Sequence, residues 1–167
     1  EWTGWESMAF YEDYMALAML APYNDPELTR LWADALSYQI HRMWNTRLTC
    51  ENQSLHWPLK LYALAMATGD DTYRTMANDY LRDFADPAMS RSMATGYPME
   101  AYGLDGTYTG ISTSLLAFAM RFGNDRTALP VLRRILNLMN HTVVREPDGS
   151  LSAANGFAHR TTGSWLN

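Results

Sequence analysis

Two apolar patterns alternate along this chain, and their alternation predicts helical hairpins. From about Ser7 to Leu20 the chain becomes apolar on nearly every side, ending in Met15-Ala16-Leu17-Ala18-Met19-Leu20, as expected of a helix buried around most of its circumference. Pro22 and the Asn24-Asp25-Pro26 turn end it. From Pro26 to about Trp44, Leu28, Leu31, Trp32, Ala35, Leu36, Ile40 and Met43 recur at helical spacing among Arg30, Asp34 and Arg42, predicting one dry face and one wet face. Asp25 suits the N-cap of this helix. Pro26 suits its first position, where a missing N–H leaves nothing unpaired.

The couplet then returns. An apolar helix starting near Ser54 runs through Leu59, Leu61, Tyr62, Ala63, Leu64, Ala65 and Met66 to Thr68-Gly69-Asp70, and an amphipathic partner carries Tyr73, Met76, Ala77, Tyr80, Leu81 and Phe84 on one stripe. After an irregular stretch from Asp86 to Thr107, a third apolar helix reads Ile111 to Met120 and ends at Phe122-Gly123-Asn124-Asp125. Its partner carries Leu129, Leu132, Ile135, Leu136 and Met139. Aligning the turns Tyr23-Asn24-Asp25, Thr68-Gly69-Asp70 and Gly123-Asn124-Asp125 gives three units of roughly fifty residues, the signature of a helical repeat whose members must stack to bury their faces. An inner ring of apolar helices and an outer ring of amphipathic ones explains both patterns. The expected fold is therefore all-α, an incomplete α/α toroid of about three helical hairpins, near residues 6–45, 52–85 and 109–143, with an extended tail over 145–167. The plainer alternative is an irregular bundle of the same hairpins.

With 167 residues, the chain suits one domain or a piece of one. Hydrophobic residues make up 47% and charged residues 19%, which excludes a disordered chain, and no like-charge block reads as a nucleic-acid arm. A net charge of -5 argues mildly against a surface built for polyanions but leaves room for a local arginine cluster. The single cysteine, Cys50, forms no internal disulfide, so packing must hold the fold. No stretch is long and apolar enough to span a bilayer, so a soluble protein with neither membrane nor nucleic acid as partner is expected. Both ends read as cut from something longer.

Short turns join the paired helices, whereas long connections lead into each apolar helix, and chemistry is expected at that second end. In Glu51-Asn52-Gln53-Ser54-Leu55-His56-Trp57-Pro58, Asn52 and His56 stand four residues apart, on one face if helical. An amide and an imidazole beside a helix N-terminus suit a carboxylate ligand, and Gln53 and Trp57 flank them. The alternative is that Asn52 or Ser54 caps the helix and His56 is simply packed. A second cluster, from Gly96 to Gly110, sets Glu100, Tyr102, Asp105 and Tyr108 in a Gly-rich loop, more often a site than a spacer. Tyr108 stands out as a proton donor or base, against a plain turn at Asp105-Gly106 with Tyr108 as a core anchor. In the tail, His159 and Arg160 pair a titratable group with a fixed cation suited to a uronate carboxylate; the alternative is Arg160 as a helix C-terminus partner. The four histidines have no zinc spacing, so no transition metal and no cofactor is expected, with a structural calcium left open.

Asn52 and His56 before an apolar helix, the Asp105-Gly106-Thr107-Tyr108-Thr109-Gly110 loop and Ala158-His159-Arg160-Thr161 together resemble the α/α-toroid polysaccharide lyases, particularly the heparinase II/III-like and chondroitin/hyaluronate-lyase-like proteins. The resemblance covers most of the chain in architecture and only short stretches in motif. It implies β-elimination on a uronate-containing polysaccharide, with Asn52 neutralising the carboxylate, Tyr108 as acid or base, His56 or His159 as the other proton carrier and Arg160 assisting. It also implies a flanking β-sandwich domain and a periplasmic or secreted location. Two rivals remain. A glycoside hydrolase on the same ring would draw two carboxylates from Glu6, Glu51, Glu100 and Asp105. A noncatalytic glycan-binding or scaffold repeat would use the six Trp and ten Tyr as stacking platforms.

Overall fold

The computed structural model of the protein describes residues 13–22, 25–43, 51–86 and 106–153, and these are mostly helical. Helix α1 covers residues 13–19, α2 is Pro26–Met43, α3 is Glu51–Ser54, α4 is His56–Thr68 and α5 is Asp71–Ala85. Helix α6 is Gly106–Gly123 and α7 is Leu129–Thr142, followed by strands β1, Val143–Arg145, and β2, Leu151–Ala153.

The two sequence patterns correspond to two kinds of burial. Every residue from Leu55 to Ala65 is buried, because α4 packs against α2, α5 and α6 and meets α1 through Asp13 and His56. Helix α5 buries a single stripe, Tyr73, Ala77, Leu81 and Phe84, and α7 buries Val131 and Ile135. A helix with neighbours on most sides needs apolar residues all round, and one with neighbours on one side needs only a stripe. Helices α4 and α6 run in the same sense. Helix α3, just ahead of α4, packs on α6, while Tyr62, further along α4, lies against Gly123 at the very end of α6. The amphipathic helices α2 and α5 meet through Tyr73, whose hydroxyl lies 2.6 Å from that of Ser37 and 3.5 Å from His41 Nε2.

Capping follows the expected chemistry at the turn ends. Asp25 Oδ1 accepts from the backbone N–H groups of Glu27 and Leu28 at 2.8 and 3.0 Å. Gly69, at φ 71°, closes α4 by donating its N–H to the Ala65 carbonyl, a left-handed cap that costs glycine least. Asp70 then caps α5 by accepting from Thr72 N at 2.9 Å.

Three expectations need correction. In α2 the dry face is Ala33, Leu36 and Ile40, whereas Leu28 and Leu31 are exposed; helical period places a stripe but not which end of it a neighbour covers. The second apolar helix starts at His56, near the expected Ser54, and ends at Thr68 as expected, with the short α3 ahead of it. Pro58 has no N–H for the Ser54 carbonyl, and its ring crowds that carbonyl, so α3 and α4 are divided at Leu55. The third apolar helix begins at Gly106 rather than near Ile111. The tail is not merely extended: β1 and β2 form an antiparallel hairpin pairing Val143 with Ala153 and Arg145 with Leu151. Its turn is Pro147-Asp148-Gly149, with Gly149 at φ 84° and Asp148 Oδ1 accepting from Ser150 N at 2.9 Å, the chemistry of a tight hairpin loop.

Candidate functional site

Within the otherwise apolar layer formed by α3 and α4, four polar side chains are buried. Asn52 is 0% exposed, Gln53 2%, His56 2% and Lys60 1%. The backbone explains their placement. The break at Leu55 carries no side-chain cap, so neither Asn52 nor Ser54 caps α4. Helix α6, which packs on α3 and α4, carries buried Thr109 and Ser112, three residues apart and so on one face of it. From α1, the Asp13 carboxylate oxygen Oδ2 meets His56 Nδ1, with the histidine side chain 2% exposed.

The electrostatics are unusual for a core. Burying a polar atom without a partner costs about 1–3 kcal/mol, yet Asp13 Oδ1, Gln53 Oε1 and Ser112 Oγ are buried without a hydrogen bond. Gln39 Oε1 and Thr29 Oγ1 on α2 are in the same state, so an unpaired oxygen by itself does not mark the site. What marks it is the burial of two amides, an imidazole and an ammonium within nine residues of α3 and α4. Lys60 Nζ lies 5.1 Å from the centre of the Trp57 ring, a cation–π contact that offsets part of the ammonium's desolvation.

Of the residues singled out from the sequence, the structure brings Asn52, Gln53, His56 and Trp57 together on α3 and α4, all buried. Tyr108 is half-buried and lies in the first turn of α6, not in a loop. Its helix is the one α3 packs against. Glu100, Tyr102, Asp105, His159 and Arg160 lie outside the described residues. Sequence reasoning missed Asp13, Lys60, Thr109 and Ser112. Lys60 left a readable trace as the one charge inside Trp57-Pro58-Leu59-Lys60-Leu61-Tyr62. Asp13 left none, since beside Glu12 it reads as part of a solvated face.

Among the described residues no group of three or more His, Cys, Asp or Glu side chains is arranged to hold a metal ion, and no helix is long and apolar enough to cross a membrane. A cavity of about 280 Å³ opens at the turn between α6 and α7, beside Met120, Arg121, Asp125 and Leu132. The side chains of the buried cluster are of types suited to two kinds of chemistry. Its amides and ammonium suit an anionic oxygen, and an imidazole paired with a carboxylate suits proton transfer. Comparison with protein-family models, with characterised proteins and with solved structures finds no match to this chain.

Proposed function

We propose that the protein is a polysaccharide-lyase-like enzyme that cleaves a uronate-containing polysaccharide by β-elimination, working on an incomplete α/α toroid and outside the cytoplasm. One observation carries the reading: Asn52, Gln53, His56 and Lys60 are buried together in a layer that packing alone would fill with apolar residues. Two further features support the ring, namely α4 and α6 running in the same sense and the contact between α2 and α5 through Tyr73.

A C–H beside a carboxylate is too weak an acid to ionise near neutral pH unless the charge that develops is stabilised where it appears. In this reading the Asn52 and Gln53 amides and the Lys60 ammonium, buried in this structure, are uncovered when the polymer binds and hold the uronate carboxylate. His56 Nε2 then takes the C5 proton: the C5–H bond breaks and an N–H bond forms. The electron pair left on C5, spread onto the carboxylate, forms the C4–C5 double bond as the C4–O bond breaks. Tyr108 gives its phenolic proton to the departing glycosidic oxygen, and the proton on His56 returns to water with the phenolate reprotonated. Atoms and charge balance without metal or redox partner.

The test is ultraviolet absorbance of unsaturated uronate ends during incubation with a panel of uronate polysaccharides. A rise abolished by His56→Gln and by Tyr108→Phe is expected. New reducing ends without absorbance would replace elimination by hydrolysis, and neither signal on any polymer would leave a binding module.

A further inference from the structure

We propose that Asp13 is the positioning residue for His56, locking the imidazole in the tautomer with its proton on Nδ1 and so presenting Nε2 as the proton acceptor. The kinetic part of this inference rests on the elimination reading; the tautomer itself does not.

The pair joins residues 43 positions apart, one from α1 and one from the first turn of α4. An ionised carboxylate can only accept hydrogen bonds. Contact between Oδ2 and Nδ1 therefore requires Nδ1 to be the donor, which leaves the lone pair of a neutral imidazole on Nε2. The frame around the pair is stiff. Ala16 and Met19 on α1 and Leu55 and Leu59 next to His56 along the chain are buried, and close-packed helices do not let a ring drift out of register.

A purely structural role explains the pair poorly. Two well-packed apolar side chains commonly stabilise a core as well as a buried ion pair or better, and both helices are already rich in them. The only other charged group in the buried part of α4 is Lys60, one turn beyond His56 and set over Trp57. The Nδ1 contact itself therefore assigns the tautomer to Asp13.

Imidazole nitrogen-15 shifts of the intact chain in mildly alkaline buffer test this directly. Wild type is expected to show His56 protonated on Nδ1. Asp13→Asn, whose amide can donate to Nδ1, is expected to move the population toward Nε2–H, and Asp13→Glu to retain the wild-type tautomer. With an elimination substrate, Asp13→Asn should lower kcat about a hundredfold or more with KM little changed, and Asp13→Glu should recover part of the loss. An unchanged tautomer in Asp13→Asn overturns the proposal, as does wild-type His56 protonated on Nε2, which decides the matter even where Asp13→Asn does not fold. A wild type that eliminates nothing while its tautomer follows Asp13 removes the elimination reading and leaves the positioning role standing.

Discussion

The two ends of α4 solve the same problem differently. At its far end the polar groups find partners: Thr68 Oγ1 donates to the Leu64 carbonyl at 2.7 Å, Gly69 closes the helix, and the Tyr62 hydroxyl donates to Asn78 Oδ1 on α5 at 2.8 Å. The neighbouring turn does likewise, with Asp125 Oδ1 accepting from Thr127 N and Oγ1 at 2.7 and 2.6 Å. At the near end, Asn52, Gln53, His56 and Lys60 are taken out of water, and Gln53 Oε1 and the Oδ1 of Asp13, the partner of His56, are left with unspent hydrogen-bonding capacity. Protein segments tend to break local rules where function demands it and to obey them elsewhere. The turn end is built to fold, and the end around His56 retains polar capacity that folding does not require.

The comparison predicts separable losses. The largest belongs to His56→Gln, which keeps a donor for Asp13 but removes the titratable nitrogen: elimination should fall by about 10²–10⁴-fold while the urea midpoint moves little. A matching collapse in stability would show that the near end is structural after all. Next comes Gly123→Ala at the turn end. A methyl group there would overlap the Tyr62 ring, which cannot swing aside without giving up its hydrogen bond to Asn78. Overpacking of this kind costs about 1–3 kcal/mol, to be read as a lower urea midpoint. The folded fraction should keep its turnover. Activity lost without stability in Gly123→Ala would erase the difference between the ends.

Which parts of this were legible in the sequence follows from the range of each interaction. Asp25 as a cap and the apolar circumference of α4 are set within a few residues of themselves, and the sequence displays both. Asn52 and His56 were visible because a polar pair ahead of an apolar run is a local anomaly. The exposed Leu28 and Leu31 were misplaced because only a neighbouring helix decides where a stripe stops being covered. Tyr108 was assigned to a loop because its surrounding glycines discourage helix, but packing of α6 against α3 and α4 overrides that preference. Asp13 was invisible for the same reason as the tautomer it sets: its partner lies 43 residues away, and no local pattern records such a pairing.

A smaller effect concerns Tyr62 at high pH. Burial pushes its hydroxyl up from 10.0 to about 12, with the Asp125 carboxylate adding to the rise and Arg74 opposing it. A group whose folded value lies above its unfolded one holds its extra proton in the folded state, so its stabilisation is complete below about pH 10 and is lost as the pH climbs toward about 12. Urea midpoints of wild type should therefore fall across that window by more than those of Tyr62→Phe. Parallel curves would mean that the turn end does not hold Tyr62 as tightly as its contacts indicate.

The smallest effect is expected at Asp70, fully in solvent at the start of α5. Hydrogen bonds from Thr72, through its side chain and its backbone N–H, hold the Asp70 carboxyl below its ordinary value of 3.8. The sign is opposite to that at Tyr62: a lowered folded value gives stability that is present above 3.8 and disappears as the pH falls through the folded value. Asp70→Ala should lower the thermal midpoint slightly near neutrality, and the gap from wild type should narrow in acid. Because Asp70 lies outside the cluster around His56, turnover should not respond to it at any pH where the chain is folded. An activity change at Asp70 without a change in stability would mean that the caps also shape the chemistry, and the division between the two ends of α4 would have to be redrawn.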